Sequence, residues 1–574
     1  MDKRIYLILL AALLLRVLGL EPLPAGFTPD EASFGYDAYS IIKTGSDQWG
    51  RLLPFVLESF GDFKAPVYSY LTIPFVFIFD LTKFAVRLPN ALIGVLAVLV
   101  TYLLTRELLW LRNKDNKKLN YLKNKTLESL LPLIPAFLLA FGPWHVMMSR
   151  GAFEANLTTF FLTFGIFLFL KGIRQKSENF ILLSVFILGL NLFTYHSAKL
   201  VTPLIGIFLL ILFRKEIYVL GARRLIFPIV LTVAFVVALI VSFDQGAGRR
   251  VADVSIASGA LEQQAEARLN AINSGQNPTI AKLFHNKYLV TAGRFFENFR
   301  SYWSIDFIVL KGPREATYGM IPGIGVLTLS EGLLLLLFLF SLMKNLKDRT
   351  HQLLFFWILV GFVPASLTTG VGHAANRAEV VLPSLQVAAL FGTLILLKRV
   401  NWWGIRGMMN FALWFLVIFS LIHSGVALSR YKRLSQTVSS KAMLYNNLEV
   451  AQWLHEREKS VSKIVVSRKL SEPHIYIAFA SRRDPEEYQK NSANWEVYRD
   501  MNLKFLDQLP SYNLGNYIFE NIRYENYKEQ EDVLLVGRPE EFPEDIAPLE
   551  VFYYPDNTPS HYVVSPGKQN YASI

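Results

Sequence analysis

The sequence predicts a polytopic α-helical membrane protein with about eleven transmembrane helices and a small C-terminal extracytoplasmic α/β domain. Three observations lead there. Of the 574 residues, 52% are hydrophobic and only 18% charged, against about 25% charged in ordinary soluble domains. The deficit comes from repeated apolar runs of about 20 residues, the length that crosses a hydrocarbon core of ~30 Å. The basic residues gather in short loops between those runs, and only residues 430–574 have the length and polarity of a soluble domain.

The charge pattern sets the topology. A net charge of +12 would suggest nucleic acid in a soluble chain. Cations confined to short loops instead follow the positive-inside rule, so no nucleic-acid partner is expected. The first span runs roughly Tyr6 to Leu20, with Lys3 and Arg4 at its cytoplasmic start. No small-x-small cleavage site follows it, which makes it an uncleaved span rather than a signal peptide. The stretch 67–79 is apolar but short and holds Pro74, which places it at the interface. The second span is then Phe84 to Thr105, and the next loop carries Arg106, Arg112, Lys114, Lys117, Lys118, Lys123 and Lys125. Counting onward, the loops at 171–176, 214–224, 344–349 and 398–406 are all basic and fall inside. The parity puts the N-terminus in the cytoplasm and the C-terminus outside the plasma (inner) membrane. A full span at 67–83 would invert every sign.

The chain thus divides into a transmembrane domain, 1–429, with long outer loops at 21–83 and 244–317, and the outer domain, 430–574. The second loop should hold a helix near Ser258–Asn273. In the outer domain a helical pattern covers Ala442–Glu458, and strand-like runs cover Lys463–Ser467, Ile475–Phe479, Val533–Val536, Val551–Tyr554 and Tyr562–Ser565. There is no cysteine, which excludes disulfides, thiolate metal sites and thiol nucleophiles. No Walker loop, Rossmann fingerprint or His-Glu-x-x-His motif is present, so nucleotide-driven chemistry has no support.

The chemistry centres on Phe27-Thr28-Pro29-Asp30-Glu31, directly after the first span. Pro and early acids also mark a helix start, and a helix cap does not exclude catalysis. A carboxylate at the membrane surface can accept the proton of an attacking hydroxyl. The stretch from Pro29 to Tyr39, Lys64-Ala65-Pro66-Val67-Tyr68, and Arg87-Leu88-Pro89-Asn90 recur in the order and spacing of a known group. They resemble the GT-C membrane glycosyltransferases, nearest the protein O-mannosyltransferases and lipid A aminoarabinose transferases. Two positions depart from the aminoarabinose transferases: Ser33 stands where they have Arg, and Phe63, with Asp62 before it, where they have Glu. The resemblance therefore does not extend to lipid A as acceptor.

The resemblance implies that Asp30 and Glu31 are catalytic and that Lys64, Arg150, His373 and Arg377 bind the donor phosphate. Further candidates are Asp62, Tyr68, Arg87, Glu154, His196 and Lys199. A snorkelling lysine or an ordinary interfacial cation explains several of these equally well. The implied activity is inverting transfer of a sugar from a polyprenyl-phosphate donor to a hydroxyl of a protein, glycan or lipid acceptor. A divalent metal is compatible with this chemistry and not required by it. The alternative is a transporter of polyprenyl lipid or a small molecule, which would show broken helices or inverted repeats; the sequence shows no repeat.

Overall fold

The computed structural model describes residues 2–115, 125–248, 255–257, 260–314, 316, 320–369, 375–402 and 406–567. The chain forms two compact units. One comprises Met1–Arg16, Ala91–Ser149 and Glu154–Tyr431; the other comprises Val17–Asn90, Arg150–Phe153 and Lys432–Ile574.

The first unit is helical. Among the described residues of the whole chain, four helices are long and apolar enough to cross a membrane: Lys83–Asp115, Glu154–Gln175, Ala222–Gly246 and Trp414–Ala442. Shorter apolar helices include Glu178–Asn191 and Ala198–Leu212. The helical membrane class stands on these, while the number of spans remains a proposal. Ala222–Ser242 shows why lipid is the solvent implied: Phe227, Val230, Val233, Val237 and Ile240 are all exposed. Such a helix, apolar on every face, is stable only against protein or lipid. The helix expected near Ser258–Asn273 is present as Ala260–Asn273. A further helix, Lys287–Tyr302, starts where the Asn286 side chain accepts from the amides of Tyr288 and Leu289, both at 3.0 Å.

In the second unit, helix α1 (Pro29–Thr44) begins with a capping box. The Glu31 amide donates to Thr28 Oγ1 at 3.2 Å, and the Thr28 amide donates to Glu31 Oε2 at 3.0 Å. These bonds satisfy donors that a helix start otherwise leaves open. Gly45, at φ 74°, ends the helix with its amide on the Ile41 carbonyl. Gly35 sits where a Cβ would lie 2.5 Å from Val86 Cγ2 and 2.7 Å from Phe479 Cε2, so close packing leaves no room for a side chain.

A hairpin follows, β1 (Leu57–Ser59) and β2 (Asp62–Lys64), with Leu57 opposite Lys64. Its turn residues, Phe60 and Gly61, have φ of 47° and 97°, the sense of a primed two-residue turn. Alternation puts Asp62 and Lys64 on one face of β2. Helix α2 (Val67–Phe79) has 13 residues, about 20 Å at 1.5 Å per residue, too short to span.

The C-terminal part holds helix α3 (Asn447–His455), strand β3 (Lys463–Ser467), and helices α4 (Pro473–Ser481) and α5 (Pro485–Trp495). Strands β4 (Ser511–Leu514), β5 (Tyr517–Glu520), β6 (Val533–Gly537), β7 (Glu550–Tyr553) and β8 (Pro559–Val564) complete it. The sheet runs β4-β5-β3-β6-β8-β7, with β3 parallel to both neighbours and the other pairs antiparallel. Val465 packs with Val533, Leu535 and Val564 on one face. Ile464 and Val466 are also buried, and burial on both faces accounts for the unbroken apolar run.

The strand expected at Ile475–Phe479 is instead part of helix α4. Its residues from Pro473 to Phe479 are all buried, so no helical period is visible. Pro473, at the first helical position, is the signal for a helix start. The β4–β5 hairpin was not expected from the sequence, because Ser511–Leu514 is half polar and exposed at alternate positions.

This C-terminal part and the 21–83 loop are bonded within one unit. Glu58, fully buried, takes 2.5 Å contacts from Arg51, Arg499 and the Tyr498 hydroxyl. Burial pushes its carboxyl up, but the bonds from Arg499 and Tyr498 outweigh burial and leave it below its usual range. Beneath α1 lies a second buried group. Ser33 Oγ and Ser59 Oγ are 2.6 Å apart, and Gln48 donates to Ser33 Oγ at 2.9 Å and, through its amide, to Asp37 Oδ1 at 3.1 Å.

Burial raises Asp37 well above its usual range and raises Asp47 to about 6. A carboxyl whose folded pKa is raised gives its full stability below the unfolded value and loses it as pH rises through the folded one. Asp47→Asn should therefore gain stability relative to the wild type as pH rises from about 4 to above 6. Melting curves of the two proteins across that range check this.

Candidate active site

The site in the second unit is built on an ion pair with no solvent exposure. Arg87 and Glu31 are both 0% exposed, with Nε to Oε1 at 2.8 Å and Nη2 to Oε2 at 3.1 Å. The rest of the guanidinium binds the end of the first apolar segment. Nη1 donates to the carbonyls of Leu20, Glu21 and Pro24 at 3.0–3.1 Å, and Nη2 to that of Gly26 at 2.6 Å. Glu31 Oε1 also accepts from the Ala152 amide at 3.0 Å. Arg150 adds a second clamp, donating to the carbonyls of Leu18, Gly19 and Leu23 at 2.7–3.2 Å.

Asp30, the next residue back, faces differently. Its Oδ1 lies 2.7 Å from Lys64 Nζ; the Asp30 side chain is 18% exposed and that of Lys64 1%. The Lys64 ammonium also sits 4.8 Å from the Phe34 ring centroid and 4.9 Å from that of Phe60. Two aromatic faces and a carboxylate compensate its burial. The positive end of α1 and the Lys64 ammonium both stabilise charge on Asp30. An accessible carboxylate thus stands over a buried cation that cannot swing far.

The loop carrying these residues is held from the C-terminal part. The Phe27 amide donates to the Met443 carbonyl at 2.9 Å, and Tyr476 Oη donates to the Phe27 carbonyl at 2.7 Å. The Phe27 and Phe479 rings meet edge to face at 5.1 Å. Gly26, at φ 94°, lies where a Cβ would come within 2.3 Å of the Met443 carbonyl oxygen, which reserves the position for glycine.

Of the residues expected from the sequence, Asp30, Glu31, Asp62, Lys64, Tyr68, Arg87 and Arg150 come together in this unit. Tyr68 Oη donates to the Val86 carbonyl at 2.9 Å, joining α2 to the helix that carries Arg87. Asp62 Oδ1 accepts from the Phe63 amide at 2.8 Å. Glu154, His196, Lys199 and Arg377 belong to the first unit. There Lys199 Nζ lies 5.3 Å over the Phe243 ring. Burial raises Tyr302 and the nearby Arg377 opposes the rise. His373 lies outside the described residues.

Glu472, His474 and Asp507 were missed by sequence reasoning. Burial raises Glu472 well above its usual range; Asp507, Asp30 and Asp62 add to the rise and Lys64 opposes it. Burial lowers His474 to about 3. Pro473 marks the helix start that fixes Glu472 and His474, but their nearness to Asp507 is a long-range fact.

No family model and no curated protein matches the sequence. Solved structures do. ArnT from Cupriavidus metallidurans bound to undecaprenyl phosphate superposes with a TM-score of 0.53 at 11% identity, over 98% of this chain and 98% of that one. Apo ArnT from the same organism gives 0.52 at 11% identity, over 98% and 97%. ArnT is a lipid A aminoarabinose transferase of the GT-C type. The chain has the fold of ArnT. At this identity the likeness speaks for the fold alone, and it runs end to end, through the C-terminal sheet.

Within this fold the Glu31–Arg87 pair is the element most sensitive to mutation. Removing one partner of a buried pair typically costs about 3–5 kcal/mol. Arg87→Met should therefore lower the stability of the protein by about that amount, read as a large fall in melting temperature in detergent. Lys83→Met, which breaks a partly exposed pair with Glu449, should cost less than about 1 kcal/mol.

Proposed function

We propose that the protein is an inverting glycosyltransferase that moves a sugar from a polyprenyl-phosphate-linked donor to an acceptor hydroxyl at the extracytoplasmic side of the membrane. The observation that carries the proposal is the 2.7 Å pair of Asp30 and Lys64 on a fold shared with ArnT. That an ArnT structure holds undecaprenyl phosphate supports a polyprenyl phosphate as the donor's carrier here. Eleven spans, a transmembrane domain at 1–429 and an outer domain at 430–574 belong to the same proposal.

In this reading Asp30 is the general base. It accepts the acceptor's hydroxyl proton as the oxygen attacks the anomeric carbon, and polyprenyl phosphate leaves from the opposite face. Lys64 stabilises the phosphate as its charge develops. Its pairing with Asp30 holds the two side chains together until the donor phosphate competes for the ammonium. Glu31 and Arg150 hold the loop instead of touching substrate, because their polar atoms are committed to Arg87, Ala152 and the 18–23 carbonyls. Arg377 and His373 remain proposed phosphate contacts.

Purified wild type and Asp30→Asn, assayed against a panel of polyprenyl-phosphate sugars and acceptors, test this. The wild type should release polyprenyl phosphate, and the variant should lose about 10²–10⁴ in rate with an unchanged melting temperature. Equal release by both would move the base elsewhere. Release by neither, with well-folded protein, would favour a transporter.

A further inference from the structure

The mechanism leaves one buried cluster unused. Glu472, His474 and Asp507 each bring one metal-ligating atom within 4.8 Å of the others. The cluster is held by more than its own charges. The Tyr512 hydroxyl donates to Asp507 Oδ1 at 2.6 Å and lies 3.0 Å from His474 Nδ1, while the Glu472 amide donates to Asp507 Oδ2 at 2.9 Å. The imidazole packs edge to face against Phe60 at 5.6 Å and Trp495 at 5.3 Å, and its side chain is 1% exposed.

One atom has no partner in this arrangement. Glu472 Oε2 is buried, makes no hydrogen bond, and points at the cluster, 3.9 Å from His474 Nδ1. A buried carboxylate oxygen left so is costly. The charge balance points the same way. Glu472 lies in the field of Asp507, Asp30 and Asp62, with Lys64 as the opposing cation. Glu472, Asp507, Asp30 and Asp62 thus act on a common region, with Lys64 and Arg468 as the opposing cations.

We propose that Glu472, His474 and Asp507 form a binding site for a divalent cation of the Zn²⁺ or Mn²⁺ class. One imidazole nitrogen and two carboxylates suit such borderline ions. For the cation to enter at Nδ1, His474 gives up its proton and its bond to Tyr512, and rotation of the Glu472 side chain closes the 3.9 Å gap to the separation that two ligands of one ion take. The cation takes the place of the proton that burial favours on Glu472 and satisfies the orphaned oxygen. Its role, which rests on the proposed function, is to add positive charge in the field of Asp30 and Lys64, where the donor phosphate leaves. Its binding does not rest on that function.

The test uses the full chain in detergent, stripped with a chelator and titrated with Mn²⁺, read by electron paramagnetic resonance. One Mn²⁺ per chain, with pulsed spectra showing coupling to one imidazole nitrogen, is expected. Glu472→Gln should bind about tenfold or more weakly. Absence of saturable binding, binding without nitrogen coupling, or equal affinity in a folded Glu472→Gln would overturn the site. If that variant does not fold, the nitrogen coupling in the wild type decides. Sugar transfer is not read in this experiment, so a missing metal leaves Asp30 untouched, and an inactive protein that binds Mn²⁺ leaves the site standing.

Discussion

The buried pair of Glu31 and Arg87 is the constraint on which the second unit depends. One guanidinium ties a helix start, a chain end and a carboxylate together through six contacts. Desolvating two charges is expensive, and such a pair is tolerated only where further hydrogen bonds complete it. Here the carbonyls of 20–26 and the amides of Thr28 and Ala152 complete it. The result is a fixed direction for α1. Residues adjacent on a helix point about 100° apart, so burying Glu31 against Arg87 turns Asp30 toward Lys64 and the surface. Of the two neighbouring carboxylates, Glu31 is thus fully buried and Asp30 partly exposed.

Lys64 reaches Asp30 by a different route. A hairpin with a two-residue primed turn sets its register, so Asp62 and Lys64 share a face and Phe60 lies beside the ammonium. The hairpin is anchored in turn. Glu58 binds Arg499 and Tyr498, the Leu506 amide donates to the Phe60 carbonyl at 3.0 Å, and a Cβ on Gly61 would meet the Lys504 carbonyl oxygen at 2.2 Å. The C-terminal part therefore sets the position of the candidate site as well as covering it. Such long-range closures cost chain entropy, and the density of buried polar contacts offsets that cost.

Much of this was legible in the sequence, for identifiable reasons. Thr28-Pro29 followed by Glu31 reads as a helix start because capping chemistry is local. Asp30, Lys64 and Arg87 stand in short stretches whose order and spacing carried the family resemblance. The run Ile464–Val466 reads as a strand because a central strand is buried on both faces. The same double burial hid helix α4, since Ile475–Phe479 shows no period to separate helix from strand. Adjacency alone could not distinguish Glu31 from Asp30; only the partner, 56 residues away, does that. The carbonyl partners of Arg150 at Leu18, Gly19 and Leu23 are likewise distant in sequence. Glu472, His474 and Asp507 are invisible in sequence because Asp507 is brought to them by tertiary packing.

The division of labour between the two carboxylates is best tested by the transfer rate of Glu31→Gln, measured well below that variant's own melting temperature. The account predicts a less stable protein whose rate, while folded, stays within about tenfold of the wild type, because Glu31 contributes no proton transfer. A folded Glu31→Gln that loses as much activity as Asp30→Asn would contradict it, and would make Glu31 a reacting group.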